Sequence, residues 1–347
     1  MVGSVATPHE DLTGADPEAP EVSVVIPTRD RRHLLETTLA AALNQRDVEH
    51  EVIVVDDGSG DGTGAGLAAM GDPRLRVLRN GASQGVSAAR NRAIAEARAP
   101  WVAFLDDDDV WSPDFLRRQL AAVRDTGAVI SYCDSLVLDH HLRLVGVSVP
   151  PEPEELPAAL QSWNFIGGPS VVLARTDMLR LLGGFDENLS VMADWDLWVR
   201  LIDHGSAVHC HEALAGYVVH AGGMYSQHPE AAEADFALMA AKHADRPAGH
   251  GRHPERAILA LTLAHAHARA GRRRAAARTA LGAGLRHGRP RLVALGFVLL
   301  DRRQLGLKLH QRFKQRRLPP TPEWLEDHAR RALPAGSPSD ASVALPA

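Results

Sequence analysis

The chain has two cysteines, no long apolar run and no surplus of positive charge, and each lack removes a class of protein. With only Cys133 and Cys210 there is no material for a disulfide framework, and a reducing cytoplasm suits the chain. No stretch approaches the roughly 18 apolar residues of a membrane span. The run LVALGFVLL, residues 292–300, is too short and is flanked by arginines. The N-terminus has no basic start followed by an apolar core, so no secretory signal is expected. Lysine and arginine number 38 against 43 aspartates and glutamates, and the net charge of −5 argues against nucleic acid as a partner. With 45% hydrophobic and 23% charged residues, the 347-residue chain reads as a soluble, cytoplasmic globular protein of one large domain or two smaller ones.

What is there changes character along the chain. Residues 1–20 are acidic, with proline and glycine and no periodicity, and read as a disordered lead-in; the tail 334–347 has the same character. From Val22 to about Tyr132, short apolar runs (VSVVIP, EVIVVD, RLRVLR, WVAFLD) alternate with helical patterns. Near-continuous apolar strands separated by helices predict an α/β fold, with a mixed, mainly parallel sheet sandwiched by helices. Residues up to 228 continue this domain, with strands at 170–175 and 215–220 and a helix over 193–205. Residues 229–333 shift to Ala, Arg, His and Leu and read as a C-terminal α-helical appendage. Its basic stretches RRRAAAR and HQRFKQRR are ordinarily a solvated face, but offer a peripheral membrane or protein contact.

Chemistry concentrates where the strands end, which is where ligands sit in open α/β sheets. The sequence FLDDDDVW puts four consecutive carboxylates, Asp106 to Asp109, at one such end. A hard cation, Mg²⁺ or Mn²⁺, would offset their mutual repulsion, taking one or two carboxylates plus substrate phosphates. The competing reading is an acidic loop capping the helix that begins near Ser112 or Asp114. A second strand end carries DDGSGDGT, whose carboxylates could reach the same ligand or accept hydrogen bonds from a base or ribose. Arg90 and Asn91 follow in a helix behind a Gly-rich turn, where Arg90 could pair with Asp57 or contact a base.

In order and spacing, VSVVIPTRDR, VVDDGS, GVSAARNRAI, FLDDDDVWSPDFL, GGPSVVLAR, GGFDE and DWDLWVRL resemble the family-2 glycosyltransferases of GT-A fold, over about residues 21–225. The resemblance implies a GT-A type nucleotide-binding domain at 21–228, a nucleotide-diphosphate sugar donor (a UDP-sugar favoured), a hydroxyl acceptor, Mn²⁺ or Mg²⁺, and inversion at the anomeric carbon. By position, Pro27, Thr28 and Asp57 line the nucleoside pocket, with Asp57 on the base and Arg90 supporting it. Asp106 and Asp108 form the Asp-x-Asp element on the metal, Asp107 reaches the ribose, and His220 sits near metal and diphosphate. Asp194 takes the place of the catalytic base, and its helix N-terminus would favour the charged form; a plain helix cap is the alternative. Asp196 is a lesser candidate for an acceptor contact, and Trp163, Trp195 and Trp198 are candidates for stacking or for core.

Two departures from the family pattern stand out. Ala193-Asp194 replaces the common Glu-Asp, and Thr28-Arg29-Asp30 stands where Tyr-Asn is common, so that Arg29 is the group left to stack on a base. The competing functions are a nucleotidyltransferase, against which PTRDR lacks the expected glycines, and a non-catalytic nucleotide-sugar-binding protein, against which Asp194 is retained.

Overall fold

The computed structural model describes residues 19–244, 255–300 and 318–332, so most of the lead-in, the tail and the HQRFKQRR stretch lie outside the described residues. Strands β1 (Val22–Thr28), β2 (His50–Asp56), β3 (Leu75–Arg79) and β4 (Trp101–Phe104) alternate with helices α1 (Arg32–Leu43), α2 (Thr63–Ala68) and α3 (Val86–Glu96). After β5 (Val110–Trp111) come α4 (Phe115–Val123), β6 (Ile130–Leu138), β7 (Leu144–Ser148), α5 (Leu156–Ser162), β8 (Val172–Arg175) and α6 (Thr176–Leu181). The chain continues through α7 (Ala193–Ile202), β9 (Ala207–Val218), the single turn α8 (Met224–Gln227) and α9 (Pro229–Lys242). The later helices are α10 (Arg256–Arg269), α11 (Arg273–Arg286), α12 (Pro290–Leu300) and α13 (Glu323–Ala332).

All nine strands join one sheet in the order β3-β2-β1-β4-β8-β6-β9-β5, with β7 also on β6. The half that carries the motifs, β3-β2-β1-β4, is parallel throughout. Every residue of β1 and β2 is buried, as apolar strands covered on both faces require. Beyond β4 the sheet is mixed: β8 runs antiparallel to β4 and β6, while β9 runs parallel to β6. Among the described residues no helix is long and apolar enough to cross a membrane.

Among the described residues of the region expected to be a helical appendage, the helices make different contacts. Helix α9 is stitched to the sheet domain. Its Asp235 accepts the N–H groups of Ser190, Val191 and Met192 at 2.9, 2.6 and 3.1 Å, fixing the segment that leads into α7. Its Phe236 packs near Trp195, with ring centroids 6.2 Å apart. Helices α10 to α12 pack side by side through alanine and glycine, and a Cβ on Gly284 would meet Val293 Cγ2 at 2.6 Å. Arg272, in RRRAAAR, is engaged too: it donates to the Ser226 carbonyl in α8 and to His267. Helix α13 returns to the sheet, where Leu325 and Trp324 join Val110, Leu136, Leu138 and Val218. Replacing Asp235 with alanine strands three backbone donors, and urea titration is expected to register a loss of about 2–4 kcal/mol.

Candidate active site

The four aspartates follow β4, and each has its own partner. Asp106 pairs with Arg90 at 2.5 Å. Asp107 accepts from the Thr28 hydroxyl at 2.8 Å and from Arg31 at 3.0 Å. Oδ2 of Asp108 accepts from Arg31 at 2.9 Å and lies 2.8 Å from His220 Nε2. Asp109 turns inward, accepting from Ser170 Oγ at 2.6 Å and from the Val218 N–H at 2.9 Å. Two guanidinium groups thus offset part of the charge for which the sequence suggested a cation, and the His220 ring hydrogen-bonds Asp108. Desolvation, with Asp108 adding to it, pushes the Asp107 carboxyl up to about 6. Burial pushes Asp109 well above the usual carboxylate range, again with Asp108 contributing. Asp109 is therefore an anchor between the rim, β9 and the turn before β8.

Arg90 is held from below. Its guanidinium lies 5.0 Å over the Phe185 ring, a cation–π distance. Phe185 is fixed by its helix neighbour Asn91, which donates to the Phe185 carbonyl and accepts the Phe185 N–H at 2.9 and 2.7 Å. Gly184 makes that approach possible, because a Cβ there, at φ +69°, would collide with the Asn91 side chain. GGFDE thus works through Arg90 on Asp106. Of the two roles left open for Arg90, a pairing with Asp57 is not formed; its ion pair is with Asp106.

Asp57 instead organises the turn ahead of α3. It accepts from Asn80 Nδ2 at 2.6 Å, Ser83 Oγ at 2.7 Å and the N–H groups of Gln84 and Gly85, each within 3.1 Å. Burial pushes its carboxyl up, but these donors outweigh that and hold it below the ordinary value. With both oxygens engaged, a base would have to displace one donor; of the two side-chain donors Ser83 is exposed and Asn80 buried.

Two adjoining cavities meet over this rim. One, of about 540 Å³, is bordered by Pro27, Thr28, Arg29, Asp57, Asp107 and the 83–87 turn, a size suited to a nucleoside. The other, of about 150 Å³, is bordered by Asp106, Asp107, Asp108, Asp194, His220 and Tyr217. Every residue expected at the nucleoside, metal and base positions borders one or the other. Among the described residues Oδ1 of Asp108 and Oδ2 of Asp106 have no protein partner, and Arg90 Nε is buried without one. Paired oxygen donors at a cavity wall fit a hard divalent cation held jointly with phosphates. His220 is committed otherwise: Nδ1 accepts the Gly222 N–H at 3.2 Å, so Nε2 carries the proton toward Asp108. In this state it orients Asp108 rather than offering a lone pair to a metal.

Asp194 is the second residue of α7; its Oδ1 accepts the Trp195 N–H at 2.8 Å, while Asp235 takes the N–H groups of Ser190, Val191 and Met192 just ahead of the helix. Asp194 Oδ2 accepts from Asn164 Nδ2 at 3.0 Å. Burial pushes its carboxyl up to about 7; Arg90 opposes the shift and Asp106 adds to it. The helix N-terminus was expected to favour the charged form, and desolvation outweighs it. Asp196, two residues on, points away from the site. It is fully buried and bound by Arg200, Lys242 and His243. Burial raises its carboxyl, but the His243 hydrogen bond and the charges of Arg200 and Lys242 overcome it and hold it at about 2. It is a stitch to α9 and cannot be an acceptor contact. Trp195 and Trp198 are core, and Trp163 packs on Trp195.

Three residues at the site were given no role by the sequence. Arg31 bridges Asp107 and Asp108 and donates to the Gly222 carbonyl at 2.7 Å. Asn164 orients Asp194. Arg269 borders the smaller cavity from α10, with no protein ion pair among the described residues. Only Arg31 was accessible from sequence, as a cation within a strand-end loop.

Comparison with known proteins agrees with this geometry. The model of Glycosyl transferase family 2 matches residues 23–141. The putative teichuronic acid biosynthesis glycosyltransferase TuaG of Bacillus subtilis is 31% identical over 204 residues, covering 57% of this chain and 79% of that protein. WfgD of Escherichia coli, a UDP-Glc:α-D-GlcNAc-diphosphoundecaprenol β-1,3-glucosyltransferase, is 28% identical over 191 residues, covering 54% and 73%. Among solved structures, the mannosyltransferase PcManGT of Pyrobaculum calidifontis, in complex with GDP-Man and Mn²⁺, shares the fold with a TM-score of 0.54. Its identity is 20%, over 90% of this chain and 87% of that one.

Proposed function

The chain belongs to glycosyl transferase family 2 and is a glycosyltransferase, and from that premise we propose a metal-assisted, inverting transfer from a nucleoside-diphosphate sugar to a hydroxyl acceptor. The observation that carries the reading is the meeting of a nucleoside-sized cleft, the Asp106–Asp108 rim and Asp194 around adjoining cavities. The nucleoside lies between Thr28, Arg29 and the turn that Asp57 organises, with Asp107 beneath the ribose. Asp106 and Asp108 hold Mn²⁺ or Mg²⁺, which when bound offsets charge on the leaving diphosphate. Arg31, Arg90 and His220 keep the rim carboxylates in place. Arg269 lies where it can reach an anionic group in the cavity.

In the transfer itself the acceptor oxygen attacks the anomeric carbon as the bond from that carbon to the diphosphate oxygen breaks. The bonding electrons leave with the nucleoside diphosphate, and the acceptor proton passes to the Asp194 carboxylate. Asn164 holds that carboxylate in orientation. A UDP-sugar is the favoured donor, as in the name of WfgD. The relatives' acceptors do not carry over to this chain, and the domain limits 21–228 and 229–333 remain a proposal, with α9 better grouped with the catalytic part.

The test is release of nucleoside diphosphate from a panel of nucleotide sugars, with Mn²⁺ and with chelator. Turnover of at least one donor that disappears with chelator is expected; indifference to chelator contradicts the metal's part. The pH profile adds a separate check. Because the Asp194 carboxyl is raised to about 7, it is protonated below that pH and cannot accept a proton. With metal saturating, kcat/KM is expected to fall tenfold per pH unit below about 7 and to level off above it.

A further inference from the structure

At the start of β9 a second cluster has no part in the transfer. His209 and His211 are two residues apart on the strand, with ring centroids 4.1 Å apart. Glu152 comes to them from the segment between β7 and α5. Its Oε1 lies 3.8 Å from His209 Nδ1 and its Oε2 3.5 Å from His211 Nε2. One ligand atom from each of the three falls within 4.8 Å of the others. None of these residues borders the cavities of the transfer site.

The protonation pattern makes the cluster more than a chance grouping. The His209 side chain is fully buried, and its Nε2 lies 2.8 Å from Asp134 Oδ1. A carboxylate only accepts, so Nε2 carries a proton, and the nitrogen left to offer a lone pair to a cation is Nδ1. That Nδ1 is buried without a hydrogen-bond partner. A buried lone pair opposite a carboxylate, too distant for a hydrogen bond, is costly as it stands and is relieved by a cation between them. Supporting groups fix the arrangement. Tyr132 stacks on His209 at 5.0 Å, and its hydroxyl donates to the Pro151 carbonyl at 2.7 Å, pinning the residue before Glu152.

We infer that Glu152, His209 Nδ1 and His211 Nε2 form a Zn²⁺ site with Asp134 as the outer hydrogen-bond partner of His209. Two imidazoles and one carboxylate are a zinc donor set, leaving a fourth position for water. Ligands at roughly 2.0–2.1 Å from a tetrahedral ion stand about 3.3–3.4 Å apart; the three ligand atoms lie within 4.8 Å of one another, so the cluster would draw in by at most about 1.5 Å, with the exposed Glu152 and His211 side chains free to move. Carboxylate–histidine–metal relays of the Asp134–His209 kind set the ring tautomer and orientation. The ion would clamp the segment leading into α5. That helix accepts the Trp195 indole N–H at its Leu160 carbonyl and leads on to Asn164, the partner of Asp194.

The experiment uses the full chain, stripped with chelator and desalted, and titrates Zn²⁺ alone in competition with a zinc indicator dye. His211→Ala and Glu152→Gln alter side chains that are 64% and 51% exposed, so their folding is expected to survive, checked by circular dichroism. Asp108→Ala separates this site from the acidic rim. The expected result is one Zn²⁺ held by both the wild type and Asp108→Ala, weakened at least a hundredfold in His211→Ala. Asp134→Asn is expected to weaken it by about 10–100-fold. Co²⁺ in its place should give visible bands of tetrahedral type that His211→Ala lacks. Equal zinc affinity in wild type, His211→Ala and Glu152→Gln would overturn the site, as would binding that vanishes only in Asp108→Ala.

Discussion

Asp194→Asn is expected to lower kcat by about 10²–10⁴, the span that a positioned general base supplies, with the donor's dissociation constant little changed. Asparagine keeps the shape and can still meet Asn164, so the loss isolates proton acceptance from packing. A stability readout separates this from mere damage. The folded Asp194 carboxyl sits at about 7 against an ordinary 3.8. For a carboxyl raised by folding, its favourable contribution is present at low pH and is lost as pH rises from the unfolded value through the folded one. At pH 8 the wild type therefore holds a charge its surroundings disfavour, and the neutral amide removes it. Asp194→Asn should unfold at a higher temperature than wild type at pH 8, by an amount on the order of 1–3 kcal/mol, with little difference at pH 4. A variant that is both less active and less stable at pH 8 would instead point to a structural role.

Asp108→Ala is expected to reduce transfer about a thousandfold, equivalent to about 4 kcal/mol of transition-state stabilisation, and to abolish the response to added Mn²⁺. The geometry adds a qualification that a bare Asp-x-Asp element would not. Removing Asp108 also frees Arg31 and His220, which lie 2.9 and 2.8 Å from it. The variant's rim is more positive, so a nucleoside diphosphate without metal should bind at least as well as to wild type. Loss of turnover with retained metal-free binding of UDP is the combined signature; a steady-state assay with a calorimetric titration reads both.

The parallel half of the sheet was legible in the sequence because β1, β2 and β4 are continuous apolar runs ending at polar turns. Strand β6 was not. The alternating region was drawn to close at Tyr132, inside it, because Ser131, Cys133, Asp134 and Ser135 break the apolar pattern. In the fold these small and polar groups are spoken for, as by the Gln119 side chain for Ser131 and by His209 for Asp134. Asp194 and Asp196 illustrate the same limit at the site. Two residues apart on one helix they face different sides, but only the packing of α9 shows that one meets Lys242 and His243 and the other a cavity. Arg269 was out of reach for a similar reason: it arrives by docking of α10, which no local pattern encodes. The Asp106–Asp109 rim, by contrast, was readable from position alone, although the protein's own arginines share in balancing its charge.

Thermal unfolding with UDP, with Mn²⁺ and with both tests the donor site most directly, since a ligand that binds only the folded state stabilises it by about 2.7 kcal/mol at a hundred times its dissociation constant. The account predicts a shift with both together that exceeds the sum of the separate shifts in wild type, and no such synergy in Asp108→Ala. Equal, additive shifts in both proteins, or none with any nucleotide tried, would contradict it.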